Sequence, residues 1–409
     1  MRISKMFIKV TLIVAMILSL IGCKANDETT KEGKTTIRFA TWDNAETLVF
    51  QQEMVDKFNA ESDTIKVELE SYGDNYDTKI TASMGSNDAP DVMYMWNYPK
   101  YGEGLLPLDD LINSEGAEYK DNFYETLWNY NSINGVTLGI PVGYTTHVLY
   151  YNKDLFDQAG VDYPTNEWTW DDVRTAAEKI TNTENKIYGI AFPIQPDPYD
   201  YEMFAWSNGG AFSDTQGNVS GVLDSAETAE PFQFFQDMLK DGIAIGTEDY
   251  GDNNFTIGKV GMIINGAWPI SKFEDAGLNF GVEVLPRFDE ATPAASILSS
   301  SGVGISKTTK NQEAAWEFVK YWTGEELNKA RIGYELPVLK SVAESEKLTS
   351  HEIYAKFYTM LEQSSEFMPS SFINVDWASL SEKLSLALEE ILNSNSFRNA
   401  QEAFQDAAK

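Results

Sequence analysis

The 409-residue sequence predicts an α/β protein with mainly parallel sheets, built as two domains. Three observations carry this reading. Strand and helix patterns alternate from residue 35 onward, the order that gives parallel sheets with right-handed crossovers. Segments such as DVMYMW (91–96) and KVGMIING (259–266) are continuous apolar runs, as strands covered on both faces must be. The length exceeds what one domain commonly holds.

The first half of the pattern is the clearest. TTIRFATW (35–42) reads as a strand ending at Trp42. Leu48, Phe50, Met54, Val55 and Phe58 then recur at helical spacing, with Asn44 placed as the N-cap. IKVELES (65–71) alternates as a second strand ending near Tyr72, NYDTKITASMGS (75–86) reads as a helix, and DVMYMW ends at Trp96. In open α/β sheets ligands bind beyond the carboxyl ends of the strands. Those ends carry Trp42-Asp43-Asn44, Tyr72-Gly73-Asp74-Asn75 and Trp96-Asn97, which are therefore candidate site residues.

Further along, GIPVGYTTHVLYYNKDLF (139–156) reads as two strand pieces broken near Gly143–His147. TWDDVRTAAEKIT (169–181) is a helix with Thr169 or Asp171 near its cap, IYGIAF (187–192) a strand, and ETAEPFQFFQDMLKDG (227–242) a helix. KVGMIING stops before Ala267-Trp268-Pro269, again with a tryptophan at a strand's end. GVEVLPRF (281–288) and SGVGISKTT (301–309) read as strands, and NQEAAWEFVKYWTGEELNKARI (311–332) as one long helix. YAKFYTMLEQS, LSEKLSLALEEIL and RNAQEAFQDAA read as C-terminal helices.

The N-terminus carries a different signal. Arg2, Lys5 and Lys9 precede an apolar run from Val10 to Ile21, the pattern of an export signal and too short for a transmembrane helix. Leu20-Ile21-Gly22-Cys23 resembles the lipobox of bacterial lipoproteins, which implies removal of residues 1–22 and lipid on Cys23, the single cysteine. Residues 23–34 are polar and read as a tether. Lys24 at the next position fits a Gram-positive cell, with the protein held on the extracellular face of the cytoplasmic membrane by its lipid alone.

Composition narrows the chemistry. With 63 Asp and Glu against 31 Lys and Arg, the net charge is −32, which disfavours nucleic acid and anionic lipid surfaces as partners. Two histidines and one cysteine give no metal-ligand spacing, and no GxSxG elbow, phosphate loop or calcium loop occurs. No metal, cofactor or catalytic residue is expected. Carboxylate pairs are too common in so acidic a chain to single one out, so a glycosidase or lyase stays open. Many of the 10 Trp, 20 Tyr and 22 Phe belong in the core, but where the tryptophans fall also bears on binding. Aromatic faces suit the apolar C–H faces of sugars.

Several segments line up with one family. GSNDAPDVMYMW, GIPVGYTTHVLYYNKDLFDQAG, WTWDDVRTAAEKIT, FTIGKVGMIINGAWP, SKTTKNQEAAWEFVKYWTG and LPVLKS occur in register. Together they resemble the carbohydrate-type extracellular solute-binding proteins of ABC importers, the family of the maltose-binding protein. The resemblance implies a two-lobed periplasmic-binding-protein fold of the class II type, with crossing strands as the hinge. It implies an N-lobe of 35–143 and 289–334 and a C-lobe of 148–284 and 341–409. The hinges would fall near 143–148, 284–288 and 334–341. It implies a monomer that captures a sugar between the lobes and docks on ABC permease subunits. A ligand sensor for a membrane receptor has the same sequence signature.

The resemblance also assigns residues. Trp96, Tyr199 with its acidic neighbour Asp197, and Trp268 match sugar-contacting positions, and Trp42 and Asp43 match a variable first loop that contacts sugar. Tyr144 on the first hinge is placed in the cleft, and Trp377 either in the cleft or in the core. Apart from the resemblance, Trp168, Trp170, Trp316 and Trp322 lie at helical spacing and read as core, as does Trp128, and Trp206 is left open.

Overall fold

The computed structural model describes residues 33–289, 291–333 and 335–409. The export signal, Cys23 and all of the tether but its last two residues lie outside the described residues. Among the described residues thirteen strands, with helices between them, form two mixed sheets and one small hairpin. They are β1 (Thr35–Thr41), β2 (Ile65–Ser71), β3 (Val92–Met95), the hairpin β4 (Ser132–Ile133) and β5 (Val136–Thr137), β6 (Ile140–Thr146) and β7 (Val148–Asn152). There follow β8 (Tyr188–Pro193), β9 (Ala244–Thr247), β10 (Val260–Asn265), β11 (Phe280–Glu283), β12 (Leu298–Ile305) and β13 (Leu336–Pro337). Among the described residues, no helix is long and apolar enough to cross a membrane.

The first sheet has the order β13-β6-β12-β3-β1-β2 and the second β11-β7-β10-β8-β9. Pairing is parallel across β3-β1-β2 and β10-β8-β9, where strand and helix alternate. It turns antiparallel where β6, β7, β11, β12 and β13 join. β6 and β7, and β11 and β12, border the passages from one sheet to the other.

Each sheet has its own aromatic core. Phe39 of β1 packs edge-on to Phe318 and Trp322 at 5.1 and 4.8 Å. In the second half Trp170 and Phe192 both pack on Phe235, at 4.6 and 4.7 Å. The Trp170–Ile180 helix starts from a reciprocal capping box between Thr169 and Asp172. It lies so close to β8 that a Cβ on Gly189 would sit 2.2 Å from the Ala177 Cα.

The chain passes directly from β6 into β7 through the fully buried His147. Here the separate passages are stitched together. The His147 N–H donates to Ser296 Oγ (2.6 Å) and Thr146 Oγ1 to the Phe357 carbonyl (2.9 Å). The Ser296 N–H in turn donates to Ser364 Oγ (2.8 Å).

Some local expectations change. The helix expected over 311–332 is two, Gln312–Trp322 and Glu325–Ala330. Gly324 is extended between them (φ −73°, ψ 171°), and the Asn328 amide donates to the Thr323 and Gly324 carbonyls. Asn44 holds the N-cap position of Ala45–Glu61 without a side-chain bond. Trp168 precedes its helix and is only partly buried, whereas Trp128, Trp170, Trp316 and Trp322 are buried. Trp206 is buried too, stacked on Phe367 at 5.3 Å. Strand β11 stops at Glu283, β12 begins at Leu298, and a helix not read from the sequence covers Pro198–Trp206.

Candidate ligand-binding cleft

The carboxyl ends of β1 and β3 in the first sheet and of β8 and β10 in the second open on one cleft of about 990 Å³. Trp42 follows β1 and Trp96-Asn97 follow β3 on one side. Asp197, Tyr199 and Asp200 follow β8, and Trp268 follows β10, on the other. Tyr144 of β6 and Ser299, Ser300 and Ser301 of β12 form the back, and Ser371, Phe372 and the Trp377–Leu392 helix close the far side.

Trp268 and Trp42 are held by neighbouring rings. Trp268 meets His147 at 5.5 Å and Tyr250 at 6.1 Å, both near perpendicular. Its ring lies over Gly266, where a Cβ would come within 2.2 Å of it. Trp42 is braced by Tyr76 and Tyr94 at 5.4 and 4.9 Å. Trp96 keeps 49 % and Trp268 43 % of its surface exposed. Large rings left half bare in a concave site need an apolar partner. Tyr199 commits its hydroxyl to the Leu298 carbonyl (2.7 Å), which links the wall after β8 to β12.

The polar groups are similarly fixed. Asp197 caps Pro198–Trp206 by accepting from the Tyr199 N–H (2.9 Å). Asp200 accepts from the Tyr250 hydroxyl, and burial pushes its carboxyl up to about 6. Glu335 accepts from Ser301 Oγ (2.8 Å), and burial raises its pKa against the pull of Arg331. Beneath this wall lies Glu202, which accepts from the Ser370 N–H (2.8 Å) and the Phe212 N–H (3.1 Å). It thereby fixes the segment that presents Ser371 and Phe372. Four carboxylates line the cleft, Asp197, Asp200, Glu335 and Glu389, and among the described residues no Lys, Arg or His does. A lining of this charge disfavours anions.

Of the residues read from the sequence, the structure brings Trp42, Trp96, Asn97, Tyr144, Asp197, Tyr199, Trp268 and Trp377 to this cleft. Asp43 instead lines a smaller chamber behind Trp42, bonded to Thr41 (3.0 Å) and Gln51. Asn44, Tyr72 and Asp74 are not brought to the cleft. Tyr72 donates to Glu70 (2.6 Å), which Arg38 also binds, and Asn44 and Asp74 are exposed and do not line the cleft. The sequence reading missed Gln195, Thr145, Glu335, the three serines of β12 and the Ser381 and Ser385 pair. The SSS run and the i, i+4 serine spacing after Trp377 were the available signals. Among the described residues, no cluster of three or more His, Cys, Asp or Glu could hold a metal ion.

A family model described as bacterial extracellular solute-binding protein matches residues 53–356. The chain belongs to the bacterial extracellular solute-binding proteins. This solute-binding protein is 27 % identical over 357 residues to a maltotriose-binding protein of Pyrococcus abyssi, covering 81 % of this chain and 72 % of the relative. It is 25 % identical over 372 residues to the arabinooligosaccharide-binding protein of Bacillus subtilis, covering 85 % and 84 %. Its fold matches an ABC substrate-binding protein of Listeria monocytogenes solved with cycloalternan, with TM-score 0.78, 25 % identity and coverage of 92 % and 97 %. It also matches the fold of the sugar-binding protein MalE of Xanthomonas citri, with TM-score 0.77, 20 % identity and coverage of 91 % and 95 %.

Proposed function

We propose that this solute-binding protein captures a neutral oligosaccharide between its lobes and delivers it to the permease subunits of an ABC importer. The carrying observation is the pair of half-bare indoles, Trp96 and Trp268, on opposite walls of a cleft that no basic side chain lines among the described residues. Stacking rings grip the apolar faces of sugars, and the serines, Asn97 and Gln195 suit their hydroxyls. Relatives that bind maltotriose, arabino-oligosaccharides and cycloalternan support the ligand class.

The lobes in this reading are 35–143 with 289–334 and 148–284 with 341–409, hinged between these segments. The membership of β6 and β7 in different sheets supports the first hinge. The protein works as an extracellular monomer, lipid-anchored through Cys23, and it binds without catalysis. The engagement of Asp197, Asp200 and Glu335 in internal hydrogen bonds supports binding over hydrolysis.

Isothermal titration against malto-, galacto- and arabino-oligosaccharides of two to five rings tests this. At least one series binds, and Trp96→Ala and Trp268→Ala each weaken it about tenfold or more, as loss of a stacked ring should. Absence of binding across the panel, or unchanged affinity in both variants, rejects the reading. Cys23→Ser is expected to release the protein into the medium with its affinity intact; continued membrane attachment rejects the anchor.

A further inference from the structure

Behind Trp42 the main cleft has a neighbour, a chamber of about 220 Å³. The two spaces share Trp42 and Glu335 as lining residues, so the second adjoins the first. By the share of liquid volume that one water takes, it has room for about seven waters, comparable to one sugar ring.

Its walls carry a charged set that is incomplete. Arg331 is 4 % exposed, its guanidinium lies 4.9 Å from the Trp322 ring, and neither Nη atom has a hydrogen-bond partner among the described residues. Gln51 is 3 % exposed; its Nε2 donates to Asp43 and its Oε1 has no partner among the described residues. The carboxylates of Asp43 and Glu335 face the same space and feel the charge of Arg331. No ion pair within 4.0 Å joins either of them to Arg331 among the described residues. Buried donors and acceptors of this kind are costly when unmet.

The charge pattern selects what can complete them. A phosphate or carboxylate would face two carboxylates, and an ammonium, which only donates, could not accept from the unmet Arg331 Nη groups. A hydroxyl can donate to a carboxylate and accept from a guanidinium at once. We propose that this chamber is an end subsite that receives the hydroxyl-bearing terminal ring of the bound sugar, recognised by Arg331, Asp43, Glu335 and Gln51. The inference rests on the sugar-binding reading above and adds that the cleft is closed at one end, so that it reads one terminus of the chain.

The test uses malto-, galacto- and arabino-oligosaccharides of two to five rings, each intact, or O-methylated on one terminal ring, with the two ends in separate samples. Isothermal titration compares the parent with Glu335→Gln, Asp43→Asn and Arg331→Met, each checked for cooperative unfolding. In the parent, methylation of one end only lowers affinity about tenfold or more. The Glu335→Gln variant, which keeps the side-chain shape, loses about tenfold for the intact sugar and no longer distinguishes it from the capped one. Parent-like ratios of intact to capped affinity in the variants overturn the subsite and leave sugar binding standing, the outcome if the chamber holds only water. Equal tolerance of methylation at both ends overturns it too. A parent that binds no intact sugar overturns the proposed function and this inference with it.

Discussion

Glu202 shows how one buried acid can hold a binding wall. Its carboxyl accepts from two backbone N–H groups and the Ser370 hydroxyl, yet burial pushes it from 4.5 up to about 7. A carboxyl raised in the fold is stabilising while protonated in both states, and that stability is lost as pH rises from about 4.5 through about 7. His147 acts in the opposite sense. Burial lowers it from 6.5 to about 3, so its contribution is present above 6.5 and lost as pH falls through about 3. The Glu202→Gln variant is expected to unfold with a midpoint temperature that declines less than the parent's between pH 4.5 and 7. Parallel pH profiles for variant and parent would contradict this assignment. At the same scale, Trp96 and Trp268 were legible because a bulky ring at a strand's carboxyl end has few other uses. Tyr72 and Asp74 share that address but not the direction. The strand-end rule locates a residue and does not orient it, and Tyr72 is turned aside by Glu70 and Arg38.

Among the elements, the Trp377–Leu392 helix is the most informative. Trp377, Ser381, Ser385, Leu386 and Glu389 all line the cleft. At 1.5 Å per residue the lane from Trp377 to Glu389 is about 18 Å long, which spans several sugar rings. Leu386 is 65 % exposed at this rim. Leu386→Ala should weaken a pentasaccharide about fivefold, from partial burial of its side chain, and leave a disaccharide unaffected. An equal loss for both lengths would place Leu386 elsewhere than at the outer end. Most elements followed from periodicity, since β1, β3, β10 and the helices of both halves carry plain apolar patterns. The break at Thr323-Gly324 did not, because the apolar spacing runs through it unbroken. What divides the helix is tertiary: Asn328 binds carbonyls that a continuous helix would have satisfied itself. The serine lane gave only a weak signal, its i, i+4 spacing, since serine is common on every solvated helix face.

On the scale of the whole molecule, the account turns on the chain passing between two sheets. Bonds among Thr146, His147, Ser296, Phe357 and Ser364 gather the passages at one place, while Trp96 and Trp268 stand on different sides of the cleft. A sugar held by both would favour the closed arrangement by its added contacts there. Each sheet gathers strands from separated stretches of the chain, so no single boundary in the sequence divides them. The division into lobes is what the register of six family-like segments implies. The most direct test is a crystal structure of the protein with the tightest-binding oligosaccharide of the panel. It should show the sugar between the two sheets, with ring faces on Trp96 and Trp268 and no anion beside it. A sugar seated on one sheet alone, or outside the cleft with both indoles bare, would contradict the account.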